Sequence, residues 1–161
     1  MKSFSTSIDM PNKTCTAMVK LLNQHLANLF DLYSQVKQSH WNVKGPQFYQ
    51  LHKLYDELAS EIFEYVDEIA ERATALGGVA LGTVRMAAAE SELPEIAATL
   101  DGKKSIEVLV KRYAAVAAGI REAINTADEA GDKDTADLFT GISRTLDKSL
   151  WFLEAHLQGR A

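Results

Sequence analysis

Long runs of apolar residues at three- and four-residue steps constrain this chain more than any other feature of its sequence. Only three prolines and nine glycines occur among its 161 residues, and most of them lie where these runs stop. Apolar residues at such steps form one face of an α-helix. We therefore predict four long amphipathic helices, over residues 12–41, 46–76, 103–130 and 133–157.

The connections between the predicted helices alternate in length. Residues 43–46, which end in Gly-Pro, and residues 131–132 form short turns. Residues 77–102 form a long connection that begins with two glycines and has room for one short helix. A short, a long and a short connection are typical of a four-helix bundle with one crossover. The predicted fold is all-α, a ferritin-like four-helix bundle with one long crossover.

Composition and charge narrow the class of protein further. Hydrophobic residues make up 47% of the chain and charged residues 24%, as in soluble globular domains. No stretch reaches the ~18 apolar residues of a membrane span, and no apolar core of a secretory signal occurs near Met1. Cys15 is the sole cysteine, as suits a reducing cytosol, and we expect it to be a small buried helix residue.

These features predict one domain and a cytoplasmic location. We expect a mobile N-terminal arm over residues 1–12, because they lack a helical period, and the bundle over residues 13–158. The formal net charge of −5 argues against a basic surface for nucleic acid and suits the attraction of cations.

The second predicted helix carries two pairs of potential metal ligands. At 100° per residue, His52, Asp56, Asp67 and Glu71 fall in one sector beside the apolar stripe. The members of each pair are four residues apart, so each pair can bind one ion. His40 ends the first helix, across the short turn from His52. Imidazole and carboxylate groups together suit iron, manganese or zinc.

The two pairs are too far apart to bind one ion within a single chain. Eleven residues separate Asp56 from Asp67, about 16 Å along a helix at ~1.5 Å per residue. Metal–ligand bonds are only about 2 Å long. An antiparallel partner related by a two-fold axis would bring the carboxylate pair of one chain onto the histidine–aspartate pair of the other, and would complete two identical sites. We place that axis near residues 61–62.

Two alternatives to an intersubunit site arise from the same residues. A di-iron site inside one bundle requires Glu-x-x-His on two helices, but no glutamate lies three residues before any histidine of this chain. The charges could also be ordinary surface residues of an amphipathic helix. Their common phase, with both histidines beside one turn, favours a metal site.

The motif His40–Trp41–Asn42, the Gly45–Pro46 turn, and the later His52, Asp56, Asp67 and Glu71 together resemble the Dps family, the DNA-binding proteins from starved cells or mini-ferritins. Residues 70–82 resemble the end of the family's second helix, and residues 134–137 and 146–154 resemble its fourth helix. The resemblance covers about residues 12–158.

This resemblance implies a hollow shell of twelve subunits with iron sites at two-fold interfaces. By position, His40, His52 and Asp56 would come from one subunit, and Asp67 and Glu71 from its partner. Such proteins oxidise Fe(II), commonly with hydrogen peroxide, and store the ferric mineral inside the shell. The expected substrates are therefore Fe(II) and hydrogen peroxide, and the expected benefit is protection of DNA from oxidative damage.

Several further acidic and aromatic residues have two interpretations each. Trp41 either donates an electron or a hydrogen bond near the site, or simply packs there. The ridge of Glu57, Glu61, Glu64 and Glu68 either faces the cavity or is a solvated helix face. The resemblance implies acidic pores around Asp128, Asp132, Asp134 and Asp137, although Asp132 or Asp134 could instead cap a helix. His25 and His156 lack partners in phase, and we expect them to be structural or exposed.

DNA binding is the alternative function. Family members that condense DNA generally use lysine-rich tails, whereas residues 1–14 hold only Lys2 and Lys13 against Asp9. Phosphate contacts by so few cations are weak and depend strongly on salt. We therefore expect any nucleoid association to be weak.

Overall fold

The computed structural model describes residues 4–99 and 101–159, and in this part of the chain all regular structure is helical. The helices are α1 (Asn12–Asn42), α2 (Phe48–Ala75), α3 (Val84–Glu90), α4 (Gly102–Glu129) and α5 (Lys133–Ala155). Helix α1 packs mainly on α2, and α4 mainly on α5. The four long helices form the predicted bundle, and α3 is the short helix for which the crossover has room.

The second helix begins two residues later than predicted. The backbone N–H of Phe48 donates to the carbonyl of Gly45 at 3.0 Å, which closes a turn around Pro46 before the helix starts. Pro46 therefore belongs to the turn rather than to the first turn of α2. The turn still reverses the chain within a few residues, so α1 and α2 lie side by side with their neighbouring ends in contact.

Glycines in left-handed conformation end α2 and α4 at the predicted places. Gly77 has φ +80° and Gly131 has φ +81°. The N–H of the residue after each glycine donates to a carbonyl five residues earlier, at 3.0 Å in both cases. These bonds satisfy carbonyls at the helix end, and other residues adopt the required conformation only with strain. The helix ends predicted from Gly77 and Gly131 are therefore confirmed.

The apolar stripes of the four long helices meet in one core. On α2 the stripe is buried from Leu51 to Ala73, while the charged sectors stay at the surface. Cys15 is buried in α1, as predicted, and it is the only cysteine of the chain. The largest fully buried side chains include Tyr55, Tyr113, Phe139, Leu22, Leu29 and Ile69.

Side-chain amides of α1 fix the path of the crossover. Asn23 donates to the carbonyl of Val79 and accepts from the N–H of Leu81, both within 3.0 Å. Further along, Gln35 donates to the carbonyl of Pro94 at 3.1 Å. Asn28 and Gln38 make the corresponding bonds to Glu92 and Ala98. The crossover thus follows α1 along its length, bonded to it at each turn or two.

The N-terminal arm is only partly described. Residues 1–3 lie outside the described residues, and residues 4–11 form no helix. The N–H of Phe4 donates to the carbonyl of Gly77 at 2.7 Å, so the described part of the arm is bonded to the end of α2. Mobility of the arm as a whole stays a prediction. None of the described helices is long and apolar enough to cross a membrane.

Candidate metal centre

The short turn between α1 and α2 brings the two predicted histidines together. The rings of His40 and His52 are stacked, with centroids 3.8 Å apart and planes 20° from parallel. Nδ1 of His40 lies 2.7 Å from the carbonyl oxygen of His52, and Nδ1 of His52 lies 2.9 Å from that of His40. Each ring is therefore held by the backbone of the other helix, and the predicted proximity is confirmed.

These reciprocal bonds determine which nitrogen of each ring can bind a metal. A carbonyl oxygen only accepts hydrogen bonds, so Nδ1 of His40 and of His52 must carry the proton. In the neutral ring Nε2 then keeps its lone pair. Fixing one ring nitrogen so that the other can coordinate is the usual arrangement of metal-binding histidines. His40 is buried and His52 half-buried, which limits rotation of both rings.

Asp56 lies one helical turn beyond His52 and contacts both a histidine and a lysine. Its Oδ1 lies 4.0 Å from Nε2 of His40 and 2.8 Å from Nζ of Lys37. The hydrogen bond from Lys37, together with the lysine charge, lowers the pKa of Asp56 below its usual value. The carboxylate is thus ionised at neutral pH, the form in which it can bind a cation.

Lys37 is the residue of this site that sequence reasoning missed. Lysine is not a metal ligand, so the search for histidines and carboxylates passed over it. Its position contains a signal, because Lys37 is three residues before His40 and hence lies on nearly the same face of α1. A cation at that position shares the carboxylate that a metal ion would use.

Asp67 and Glu71 lie at the other end of α2, away from the histidines. Both are exposed, and in the described part of the chain neither carboxylate accepts a hydrogen bond or forms an ion pair. No group of three or more His, Cys, Asp or Glu side chains that could hold a metal ion occurs within residues 4–99 and 101–159 of one chain. One chain thus presents two separate sets of donors on one surface.

The surface between the two sets is aromatic. Phe63 is 49% exposed, and its ring centroid lies 5.1 Å from that of Tyr33. Phe30 extends the cluster along α1, 6.1 Å from Tyr33. A groove of about 470 Å³ on the same side is lined by Trp41 and Val84, which are 61% and 70% exposed. Large apolar side chains exposed together are a feature of protein interfaces.

The remaining candidates have mixed environments. His25 is buried and His156 exposed, as predicted. Asp132 is the buried N-cap of α5, which accepts from the N–H of Thr135, so it is a capping residue and not a pore residue. The carboxylates of Glu57, Glu64 and Glu68 are on exposed residues and Glu61 is half-buried, so whether this ridge faces a cavity stays a prediction.

Comparisons with known proteins identify the family of this chain. The family described as Ferritin-like domain matches residues 19–160. A DNA protection during starvation protein of Agrobacterium fabrum is 43% identical over the whole of both chains. The protein of the same name from Brevibacillus brevis is 33% identical, over 86% of this chain and 93% of the relative.

Solved structures show the same similarity. DpsC from Streptomyces coelicolor superposes with a TM-score of 0.95 at 29% identity, over 99% of this chain and 94% of that one. Dps from Mycobacterium smegmatis has a TM-score of 0.93 at 28% identity, over 99% and 96% of the two chains. A Dps protein from Vibrio cholerae has a TM-score of 0.90 at 25% identity, over 98% and 100%. By its sequence and its fold, this chain therefore belongs to the Dps family of ferritin-like proteins.

Proposed function

We propose that this chain is a ferroxidase and iron-storage subunit that oxidises Fe(II) at sites shared between two subunits. The observation that carries this proposal is the stacked pair His40 and His52, with each Nδ1 bonded to backbone and each Nε2 left for a metal beside Asp56. The Dps protein from Vibrio cholerae is described as a member of a broad superfamily of ferritin-like diiron-carboxylate proteins. That similarity supports iron as the metal here.

The proposed assembly supplies the missing ligands. In a two-fold dimer with its axis near residues 61–62, the aromatic cluster that contains the exposed Phe63 faces its own copy. The same rotation lays Asp67 and Glu71 of the partner subunit over the histidine pair, since each set lies equally far from the axis. We propose that such dimers assemble further into a shell of twelve subunits, in line with the family resemblance.

The roles of the residues follow from their chemistry. His40 and His52 offer neutral nitrogen donors, and the three carboxylates balance the charge of the bound cation. Carboxylate oxygens favour Fe(III) over Fe(II), so a carboxylate-rich set makes loss of an electron easier. Five side chains from two subunits also leave room on the metal for an oxidant.

Hydrogen peroxide is the proposed oxidant. Two Fe(II) ions each give one electron, the O–O bond breaks, and two protons are taken up to form two water molecules. Iron and peroxide are thereby both consumed without release of hydroxyl radical. The ferric product is stored inside the shell, which protects DNA, and we propose a cytoplasmic location for this activity.

A double substitution tests the proposal. In His52→Ala/Asp56→Ala, one donor set loses two of its three members. Fe(II) oxidation by peroxide should slow by about 100-fold or more, since even the loss of an outer-shell partner of a metal ligand costs about 10- to 100-fold. The reaction is followed by the absorbance of the ferric product, with His156→Ala as control because His156 is exposed and its described hydrogen bond is to the carbonyl of Phe152, one turn earlier in the chain. Oxidation at the wild-type rate in the double variant would rule out the assignment.

Direct DNA binding is the second candidate, and the name of the relatives, DNA protection during starvation protein, favours it. If it is correct, DNA mobility in a gel should be retarded at physiological salt, and deletion of residues 1–13 should abolish the retardation. Retardation that persists without those residues would exclude the arm as the binding element.

A further inference from the structure

Arg72, on the last turn of α2, is bonded to the corner between α4 and α5. Its Nη2 donates to Oδ1 of Asp132 at 2.7 Å, and its Nε donates to Oγ1 of Thr135 at 3.0 Å. At the surface, Nη1 lies 3.7 Å from Oδ2 of Asp134. Two nitrogens of one rigid, planar group are therefore held by the first turn of another helix, which fixes both distance and angle.

The acceptor of these bonds is itself immobile. Asp132 is fully buried and caps α5, so its carboxylate also accepts from the N–H and the hydroxyl of Thr135, at 3.0 Å and 2.5 Å. A buried carboxylate is stable only when it is paired and hydrogen-bonded. The Arg72–Asp132 pair thus attaches the end of α2 to a well-packed point of the bundle.

The carboxylates of Asp67 and Glu71 lack any comparable support. No side chain in the described residues bonds to them, so the backbone of the last two turns of α2 alone sets their direction. Two sets of contacts hold this end of the helix, the Gly77 turn and the bonds of Arg72, and only Arg72 is next to Glu71 in sequence. Glu71 directly precedes Arg72, and at 100° per residue the two side chains leave the helix on different sides.

We propose that Arg72 and Asp132 are positioning residues for the metal site of the partner subunit. By holding the end of α2, they keep Asp67 and Glu71 in the place where the partner's histidine pair needs them. This inference rests on the proposed function. Sites in which ligands are held by a rigid surrounding shell typically lose about 10- to 100-fold in metal affinity when that shell is disturbed.

The test is the double variant Arg72→Gln/Asp132→Asn. It removes the guanidinium without leaving an unpaired buried carboxylate, and asparagine also caps helices well. Titration of the assembled protein with Co(II), followed by calorimetry, should show about tenfold weaker binding or more. In Fe(II) oxidation, KM should rise more than kcat falls. The control is Arg121→Gln, which breaks an exposed 2.8 Å ion pair with Asp147 and should change neither value.

A merely structural role has a different signature. It would lower the thermal midpoint of the double variant and leave the Co(II) affinity of the assembled particle unchanged, and that result would overturn the proposal. If the double variant does not assemble, Arg72→Lys serves instead, since lysine keeps the charge but cannot make the two-point contact. Wild-type Co(II) affinity in assembled Arg72→Lys would equally overturn it.

A second pair of substitutions separates this inference from the proposed function. Asp67→Asn/Glu71→Gln removes the charges of the ligands themselves and should weaken Co(II) binding more than any change at Arg72. Unchanged binding in that variant would contradict the shared site as a whole. If Co(II) binding is weaker in that variant but unchanged in the Arg72 and Asp132 variants, only the positioning role is overturned.

Discussion

At the scale of residues, the potential metal ligands His40, His52 and Asp56 differ in how firmly their side chains are held. His40 and His52 are fixed by each other's backbone carbonyls, at 2.7 and 2.9 Å, and need no side-chain partner. Asp56 is instead half-exposed and bonded to Lys37. A metal ion that binds Asp56 therefore has to share this carboxylate with a lysine or displace it.

Replacement of Lys37 by methionine should strengthen metal binding. The change removes the competing cation and keeps a flexible apolar stem, so Co(II) affinity should rise by about two- to fivefold, a modest gain because exposed ion pairs are weak. Calorimetric titration measures the effect. Lys148→Met is the matched control, since Lys148 pairs weakly with Glu61 at 3.8 Å. Weaker Co(II) binding in Lys37→Met would show that the lysine supports the site.

The sequence predicts this site only in part. The positions of His40 and His52 follow from local rules, because a Gly-Pro turn has few geometries and a helix fixes residues four apart. The hydrogen bond between Lys37 and Asp56 joins residues nineteen apart in sequence and depends on how α1 and α2 pack. No spacing rule contains that information.

At the scale of elements, α1 makes the most varied contacts. It packs in the core, carries His40 and forms hydrogen bonds to the crossover. His25, a buried residue of α1, makes the stability of the fold depend on pH. Its ring packs edge-on against Phe139, with centroids 5.2 Å apart, and its Nδ1 has no hydrogen-bond partner in the described part of the chain. Burial lowers the pKa of His25 to about 4. Between pH about 4 and 6.5, His25 is therefore neutral in the folded chain and protonated in the unfolded chain.

The lowered pKa of His25 predicts that the free energy of unfolding decreases as the pH falls below about 6.5. Between pH about 6.5 and 4 the unfolded state binds the extra proton, so stability is complete above pH 6.5 and falls by up to roughly 3 kcal/mol as pH approaches 4. In His25→Gln the thermal midpoint should drop less between pH 7 and pH 5 than in the wild type. His156→Gln should behave like the wild type, and equal pH dependence in all three proteins would contradict this role of His25.

The elements also show where prediction from sequence stops. Helix ends at Gly77 and Gly131 could be predicted because the left-handed residue is a local requirement. The path of the crossover could not, because it depends on bonds such as Gln35 to Pro94, which join a helix to a distant loop. Polar residues on α1 have the same spacing in the sequence whether they bond to a loop or to water, so the spacing does not predict these bonds.

At the scale of the whole molecule, one chain has two separate sets of potential metal ligands and an aromatic surface between them. His40, His52 and Asp56 lie at one end of that surface, and Asp67 and Glu71 at the other. The exposed ring of Phe63 lies close to the midpoint, where a two-fold axis would place it against its own copy. Spacing within the sequence predicts this register, whereas the exposure of the aromatic ring became evident only from packing.

Co-assembly of two inactive variants tests the shared site most directly. His52→Ala/Asp56→Ala keeps only His40 of one donor set, and Asp67→Asn/Glu71→Gln removes both carboxylates of the other. Each variant alone should oxidise Fe(II) very slowly. In an equal mixture that is unfolded and refolded together, half of the dimers contain one chain of each kind, and one of their two sites is intact. A site completed by two subunits predicts recovery of about one quarter of the wild-type rate. A mixture no more active than its two components would contradict a site shared between subunits.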